Sequence, residues 1–118
     1  MKILIVDDSE VFRKVVIEIL IRSGFNDVTE ASSYDEAVDL YRSTTPDIVF
    51  ADMILPGKSG VELTKEILRI NPTAKIIAMS SIVNKSMIKQ SLDAGARDFL
   101  LKPTNEIALS SVLAMWSD

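Results

Sequence analysis

The side chains in this sequence that could do chemistry together are Asp7, Asp8, Asp52, Ser80, Ser81 and Lys102. Three carboxylates within several ångströms of one another cannot all stay ionised and unpaired; either one pKa rises or a cation sits among them. The chain contains neither histidine nor cysteine, so the donors are oxygens. Hard cations match that set, Mg2+ first and Mn2+ as the alternative, and they keep positions open for water and phosphate oxygens. A lysine and a serine hydroxyl would then hold the other oxygens of a phosphoryl group, which is how phosphoryl transfer is catalysed. An aspartate can be the nucleophile and become an acyl phosphate. Asp52 is the candidate, because a central strand would set it between the acidic pair and Lys102.

Taken singly, each of these residues has a plainer role. Asp7-Asp8 can cap a helix, and Asp52 can be a turn residue before Pro56-Gly57. Ser80 and Ser81 can be capping serines, and Lys102-Pro103 can be an ordinary turn or a cis X-Pro bond. What argues for a site is the place each takes in the chain's alternating pattern. Ile3-Leu4-Ile5-Val6 is a continuous apolar run, as in a strand buried on both faces. From about Ser9 to Ser23 the spacing turns helical, with Phe12, Val15, Val16, Ile19 and Leu20 inward and Gly24 at the end. Val28 to Ala31 is a more polar strand, expected at an edge.

The next helix opens on a capping box, Ser33 to Glu36, carries Ala37, Leu40 and Tyr41, and stops at Pro46. Asp47 to Ala51 is the third strand, ending at Asp52. A second box, Ser59 to Glu62, starts a helix with Leu63, Ile67 and Ile70, closed by Asn71-Pro72. Lys75 to Met79 is the fourth strand. Asn84 to Ala94 is a helix with Met87, Ile88, Ser91 and Leu92 on one face, closed by Gly95. Asp98 to Leu101 is the fifth strand, and the last helix runs from about Asn105 to Trp116, with Leu109, Val112, Leu113 and Trp116 inward.

This alternation is the signature of right-handed βαβ crossovers and an α/β fold: a five-stranded parallel sheet with helices on both faces. Function in such a sheet gathers beyond the carboxyl ends of the strands. The first strand delivers Asp7 and Asp8 there, the third Asp52, the fourth Ser80 and Ser81, and the fifth Lys102. The second delivers Ser32 and Ser33, which read as capping residues. Met53, Met79 and Met87 flank the crevice as gap-fillers, and Phe99 reads as a core or edge aromatic.

Composition narrows the classes further. At 118 residues, the length suits one domain spanning residues 1–118, with a core that needs no disulfides. Thirteen basic against 17 acidic residues give a net charge of −4, which argues against direct nucleic-acid binding. No stretch reaches the roughly 18 apolar residues of a membrane span. No signal-peptide h-region follows Met1, so the cytoplasm is the expected compartment.

In combination, Ile-Val-Asp-Asp at 5–8, Asp52 followed by Pro56-Gly57, the hydroxyl of Ser80 and Lys102-Pro103 resemble the response-regulator receiver domain of two-component signalling. The resemblance runs from Lys2 to about Trp116. It implies a flavodoxin-like (βα)5 fold with strand order 2-1-3-4-5. It implies Asp52 as phosphoacceptor, Asp8 as a direct Mg2+ ligand, Asp7 acting through a metal-bound water, and the backbone carbonyl of Ile54 as a further ligand. Ser80 and Lys102 would bind the phosphoryl group, the Lys102-Pro103 bond would be cis, and Ser80 with Phe99 would form the switch. The donor would be a phosphohistidine on a sensor histidine kinase or phosphotransfer protein. The reader would be a downstream protein or a C-terminal output domain, with a phosphorylation-dependent homodimer as a further outcome.

Two departures carry expectations of their own. Phe99 stands where many members have tyrosine, so any step needing a phenol hydroxyl is lost. Ile54 and Ile82, two residues after Asp52 and Ser80, are bulky and apolar, and are expected to exclude hydrolytic water and prolong the acyl phosphate. The competing reading is an Asp-nucleophile, metal-dependent phosphatase. Such enzymes usually carry an acid/base carboxylate two residues after the nucleophile, where this chain has Ile54. A flavin or nucleotide carrier on the same fold would need a phosphate loop after the first strand, and Asp7-Asp8-Ser9-Glu10 would repel phosphate there.

Overall fold

The structure of the protein, a computed structural model, describes residues 1–82 and 84–116. Strands and helices alternate as β1 (Ile3–Val6), α1 (Glu10–Arg22), β2 (Val28–Ala31), α2 (Tyr34–Thr44), β3 (Ile48–Asp52), α3 (Gly60–Ile70), β4 (Ile76–Ser80), α4 (Lys85–Asp93), β5 (Asp98–Leu101) and α5 (Glu106–Trp116). All neighbouring strands pair in parallel, and the sheet order is β2-β1-β3-β4-β5. Every residue of β1, β3 and β4 is buried, as expected of strands covered on both sides. In β2, at the edge, only Ala31 is buried.

Alternation along the strands divides the core in two. Ile3, Ile5, Ile48, Phe50, Ile77, Met79 and Leu100 pack with Val16, Ile19 and Leu20 of α1 and Leu109, Val112 and Leu113 of α5. Leu4, Val6, Val49, Ala51, Ile76 and Ala78 pack on the other side with Ala37 and Tyr41 of α2 and Leu63 and Ile67 of α3. The two-residue period extends to the strand ends. By that parity Asp7 follows Ile3 and Ile5, Asp52 follows Ile48 and Phe50, and Lys102 follows Leu100, all toward α1 and α5. Ser80 follows Ile76 and Ala78 toward the opposite face, and Phe99 packs against the core on that face.

Each of the five helices starts on a side-chain cap, α5 on Asn105, whose Oδ1 accepts from Ala108 N at 2.9 Å. Ser9, Ser33 and Ser59 Oγ accept from the N–H groups of Phe12, Glu36 and Glu62 at 3.2, 3.3 and 3.2 Å, and Asn84 Oδ1 accepts from Met87 N at 2.8 Å. The box at Ser33 is displaced by one residue: the Glu36 carboxylate takes the N–H of Ser32 at 2.9 Å. β3 and β4 each begin one residue later than the apolar runs suggest, so Asp47 and Lys75 lie outside them. Asp47 is otherwise engaged, its carboxylate accepting from Lys2 N at 2.7 Å. Val15 and Leu92, expected inward, are nearly half exposed. In α4 the buried place goes to Ser91, whose hydroxyl donates to Met87 O at 2.8 Å, and Leu92 is turned outward.

The start of α3 presses on the end of β3. Gly60 N donates to Met53 O at 3.0 Å, and a Cβ at Gly60 would overlap the Asp52 carbonyl oxygen and lie 2.6 Å from Met53 Cα. These are backbone atoms and cannot swing away. Gly60→Ala is therefore expected to cost about 1–3 kcal/mol, read as a lower urea midpoint at unchanged slope. An unchanged midpoint would mean that the β3–α3 junction yields freely.

Candidate functional site

Three strand ends close in the same way. Asp7 Oδ1 accepts from Ser9 N at 2.8 Å, Asp52 Oδ1 from Ile54 N at 2.9 Å, and Ser80 Oγ from Ile82 N at 3.0 Å. Each side chain thus satisfies the N–H two residues on, the local turn that Asp and Ser favour. For the two acids this leaves the second oxygen free to face the crevice. Lys102, on the fifth strand end, fills that space. Its Nζ lies 2.6 Å from Asp7 Oδ2 and 2.8 Å from Asp52 Oδ2. Its own N–H donates to Ser80 O at 2.9 Å, and the Lys102-Pro103 peptide is cis. Asp7, Asp52 and Ser80 are buried, whereas Asp8 is exposed at the mouth.

Burial pushes the Asp52 carboxyl above its ordinary range; the hydrogen bonds from Lys102 and Ile54 oppose this, and the Asp7 charge adds to it. Burial alone would lower Lys102, but its contacts with Asp52 and Asp7 outweigh it and hold the ammonium above its ordinary value. Carboxylate oxygens of Asp7, Asp8 and Asp52 lie within 4.8 Å of one another. Lys102 Nζ is the cation at Asp7 Oδ2, and it is shared with Asp52, so one ammonium answers a cluster of three carboxylates. Three carboxylates and one ammonium leave a formal charge of −2, which a divalent ion matches. The residues therefore fit Mg2+ or Mn2+: hard oxygen donors, clustered and under-neutralised, with one of them exposed to solvent.

Asp7, Asp8, Asp52 and Lys102 are thus brought together. Ser80 stands beside them on the opposite face parity, with its hydroxyl turned to Ile82 N, and Ser81 is an exposed loop residue. Ile54 borders the cluster, its side chain half exposed and its N–H bonded to Asp52. Phe99 is partly buried on the Ser80 side of the sheet and touches none of the acids' hydrogen bonds. Met53 and Met79 are core residues.

Two α1 residues belong to the site although their spacing marks them only as helix positions. The Phe12 ring lies under the Lys102 ammonium, 4.5 Å from Nζ to the centroid, an attraction of about 0.5–2 kcal/mol. Arg13 Nη1 donates to the Asp7 carbonyl oxygen at 2.7 Å. A basic residue five after an acidic strand end was the available signal for Arg13. For Phe12 there was none, since its partner is distant in the chain.

A family model described as the response regulator receiver domain matches residues 3–114. A chemotaxis protein CheY of Thermotoga maritima is 38% identical over 102 residues, covering 86% of this chain and 85% of the relative. A cyclic di-GMP phosphodiesterase of the same organism is 36% identical over 105 residues, 89% of this chain but 28% of the relative. Among solved structures, the CheX-CheY-BeF3-Mg+2 complex from Borrelia burgdorferi matches with a TM-score of 0.91 and 30% identity, covering 98% of this chain and 88% of that one. With strand order, site geometry and family match in agreement, the chain belongs to the response regulator receiver domain family, the CheY-like receiver module of two-component signalling.

Proposed function

We propose that residues 1–118 form one receiver domain that takes a phosphoryl group onto Asp52 and signals through its α4–β5–α5 surface. The observation that carries this reading is the Lys102 ammonium held 2.6 and 2.8 Å from Asp7 and Asp52, at the open end of a parallel sheet in a receiver-family chain. Asp7, Asp8, Asp52 and the Ile54 carbonyl would hold Mg2+, or Mn2+. The bound ion neutralises charge on phosphoryl oxygens. An Asp52 carboxylate oxygen attacks phosphorus as the bond to the donor's imidazole nitrogen breaks, leaving an acyl phosphate and a free imidazole. Lys102 pairs with one phosphoryl oxygen. Ser80 gives up Ile82 N to donate to another. The donor is a phosphohistidine on a sensor histidine kinase or phosphotransfer protein, which suits a chain with no histidine of its own.

The phosphoryl group adds about −1.5 to −2 of charge at one strand end. Ser80 and its loop move toward it, vacating space that Phe99 fills. The surface that changes pairs a charged face on α4, where Lys89 and Asp93 are exposed, with apolar groups: Leu92, Leu101 and Met115 are exposed, Ile107 is 80% exposed, and α5 carries no lysine or arginine. A downstream protein, an output domain or a second copy reads it. Among the described residues no helix is long and apolar enough to cross a membrane. The cytoplasm is the compartment we propose. A phosphatase that turns over is disfavoured by Ile54, which has no proton to give or take.

Incubation with acetyl phosphate and Mg2+ is expected to add one phosphoryl group by mass. Asp52→Asn should abolish the adduct, and Lys102→Ala should slow its formation by about 10²–10³-fold. Sustained release of inorganic phosphate from added monoesters would favour the phosphatase instead. Ile54 and Ile82 are 47% and 45% exposed at the mouth, so they stand where they can shed water from the acyl phosphate. Replacing both by Asn should shorten the half-life of the adduct, and an unchanged half-life would remove that role. The Asp52 carboxyl is raised on folding, so its ionised form opposes folding at neutral pH, and the penalty lifts as pH falls through the raised value. Without Mg2+, Asp52→Asn is therefore expected to be more stable than the parent in urea at pH 7, with the advantage shrinking as the pH is lowered. Added Mg2+ should stabilise the parent more than the variant.

A further inference from the structure

The peptide that joins Asp7 to Asp8 has an unusual partner. The last rungs of β1 are Val6 with Ala31 and Val6 with Ala51, so the Asp7 carbonyl lies beyond the β1 pairing. Arg13 takes it instead, Nη1 donating to Asp7 O at 2.7 Å. Nε of the same guanidinium donates to Glu30 Oε1 at 2.9 Å, and the other Glu30 oxygen accepts from Lys14 Nζ at 3.0 Å. Only 13% of the Arg13 side chain is exposed, against 60% for Lys14. The hydrogen bonds from Lys14 and Arg13 outweigh burial and keep the Glu30 carboxyl below its usual range, so it stays ionised at neutral pH.

A guanidinium is a rigid planar fork, so fixing Nε fixes where Nη1 points. Glu30 therefore aims Arg13 at one carbonyl. That carbonyl belongs to the peptide whose two ends bear the acidic side chains. Rotating its plane would swing Asp8 relative to Asp7 and spread the cluster. We propose that Arg13, oriented by Glu30, is a positioning residue for the divalent ion, clamping the Asp7–Asp8 peptide plane so that both carboxylates face one point. This rests on the metal reading given above. Groups of this kind, hydrogen-bonded to the ligands rather than to the ion, typically change metal affinity by about 10–100-fold when removed.

The alternative is a plain α1–β2 ion pair, which would tie the helix to the edge strand and leave the metal unaffected. Calorimetric titration of the full chain with MgCl2, in the absence of any phosphoryl donor, separates the two. Arg13→Gln should weaken Mg2+ binding by about tenfold. Glu30→Gln should weaken it less, and the double variant no more than Arg13→Gln alone, because both act through one hydrogen bond. Lys14→Ala removes a partner of the same Glu30 but does not reach the carbonyl, and should leave binding unchanged. In the metal-free protein, the Asp8 amide resonance should shift in Arg13→Gln while those of α3 stay in place. Arg13→Lys keeps the charge without the fork and should resemble Arg13→Gln; it serves if that variant folds poorly. Parent-like Mg2+ affinity in both Arg13 variants, or an equal loss in Lys14→Ala, overturns the clamp. No Mg2+ binding by the parent overturns the metal reading, and the clamp with it.

Discussion

A single ammonium between two buried carboxylates sets the terms for this molecule. Asp7 and Asp52 are carried into the protein by the inner strands of the sheet, and their desolvation would be intolerable without a counter-charge. Lys102 supplies it from the fifth strand, with the Phe12 ring as a second surface for its charge. The compensation is incomplete: one ammonium is shared by Asp7 and Asp52, Asp52 remains raised in pKa, and Asp8 adds a third charge at the rim. An under-neutralised nest of this kind attracts a divalent cation. A divalent cation held there would bring the formal charge of the cluster to zero and remove the repulsion that an incoming anionic group would otherwise meet.

Much of this was legible because a parallel sheet converts chain order into geometry. Apolar runs ending in Asp7, Asp52, Ser80 and Lys102 point to strands whose carboxyl ends share one edge, and the structure has them so. Strand order was not legible from the runs themselves and came from family resemblance. Side-chain partners across α1 were not legible either. Nothing local distinguishes Phe12 from Val16, yet one lies beneath a lysine ammonium and the other in the core. α4 misled for a related reason. Its apolar residues fit a stripe, but with so little of the helix buried the position of Ser91 sets the rotation, and Leu92 faces out.

The parity of the sheet also separates the acids and Lys102 from the two residues proposed as the switch. Asp7, Asp52 and Lys102 continue the face that packs on α1 and α5, whereas Ser80 and Phe99 belong to the face that packs on α2 and α3. A group attached to Asp52 therefore reaches the second face only through the strand ends, where Ser80 O accepts from Lys102 N and Ser80 Oγ from Ile82 N. Register sets Ser80 and Phe99, the proposed switch pair, on neighbouring strands, because Ala78 is opposite Phe99 and Ser80 is opposite Leu101. The small side chain of Ala78 leaves room beside the ring of Phe99.

A switch needs one element that gives way before the rest, and packing identifies it. α1, α3 and α5 each bury three or more residues against the sheet, while α4 buries only Ser91. Elements with few buried apolar contacts open at the lowest free-energy cost. α4 follows directly on the Ser80–Ile82 turn, so a pull on the Ser80 hydroxyl acts where resistance is least. The rest of the sheet, with every residue of β1, β3 and β4 buried, keeps Asp52 and its neighbours in place while that happens. Rigidity at the acids and looseness at α4 are thus complementary demands of the proposed switch: the first would keep the site ready for an ion and a phosphoryl group, and the second would let the surface report their arrival.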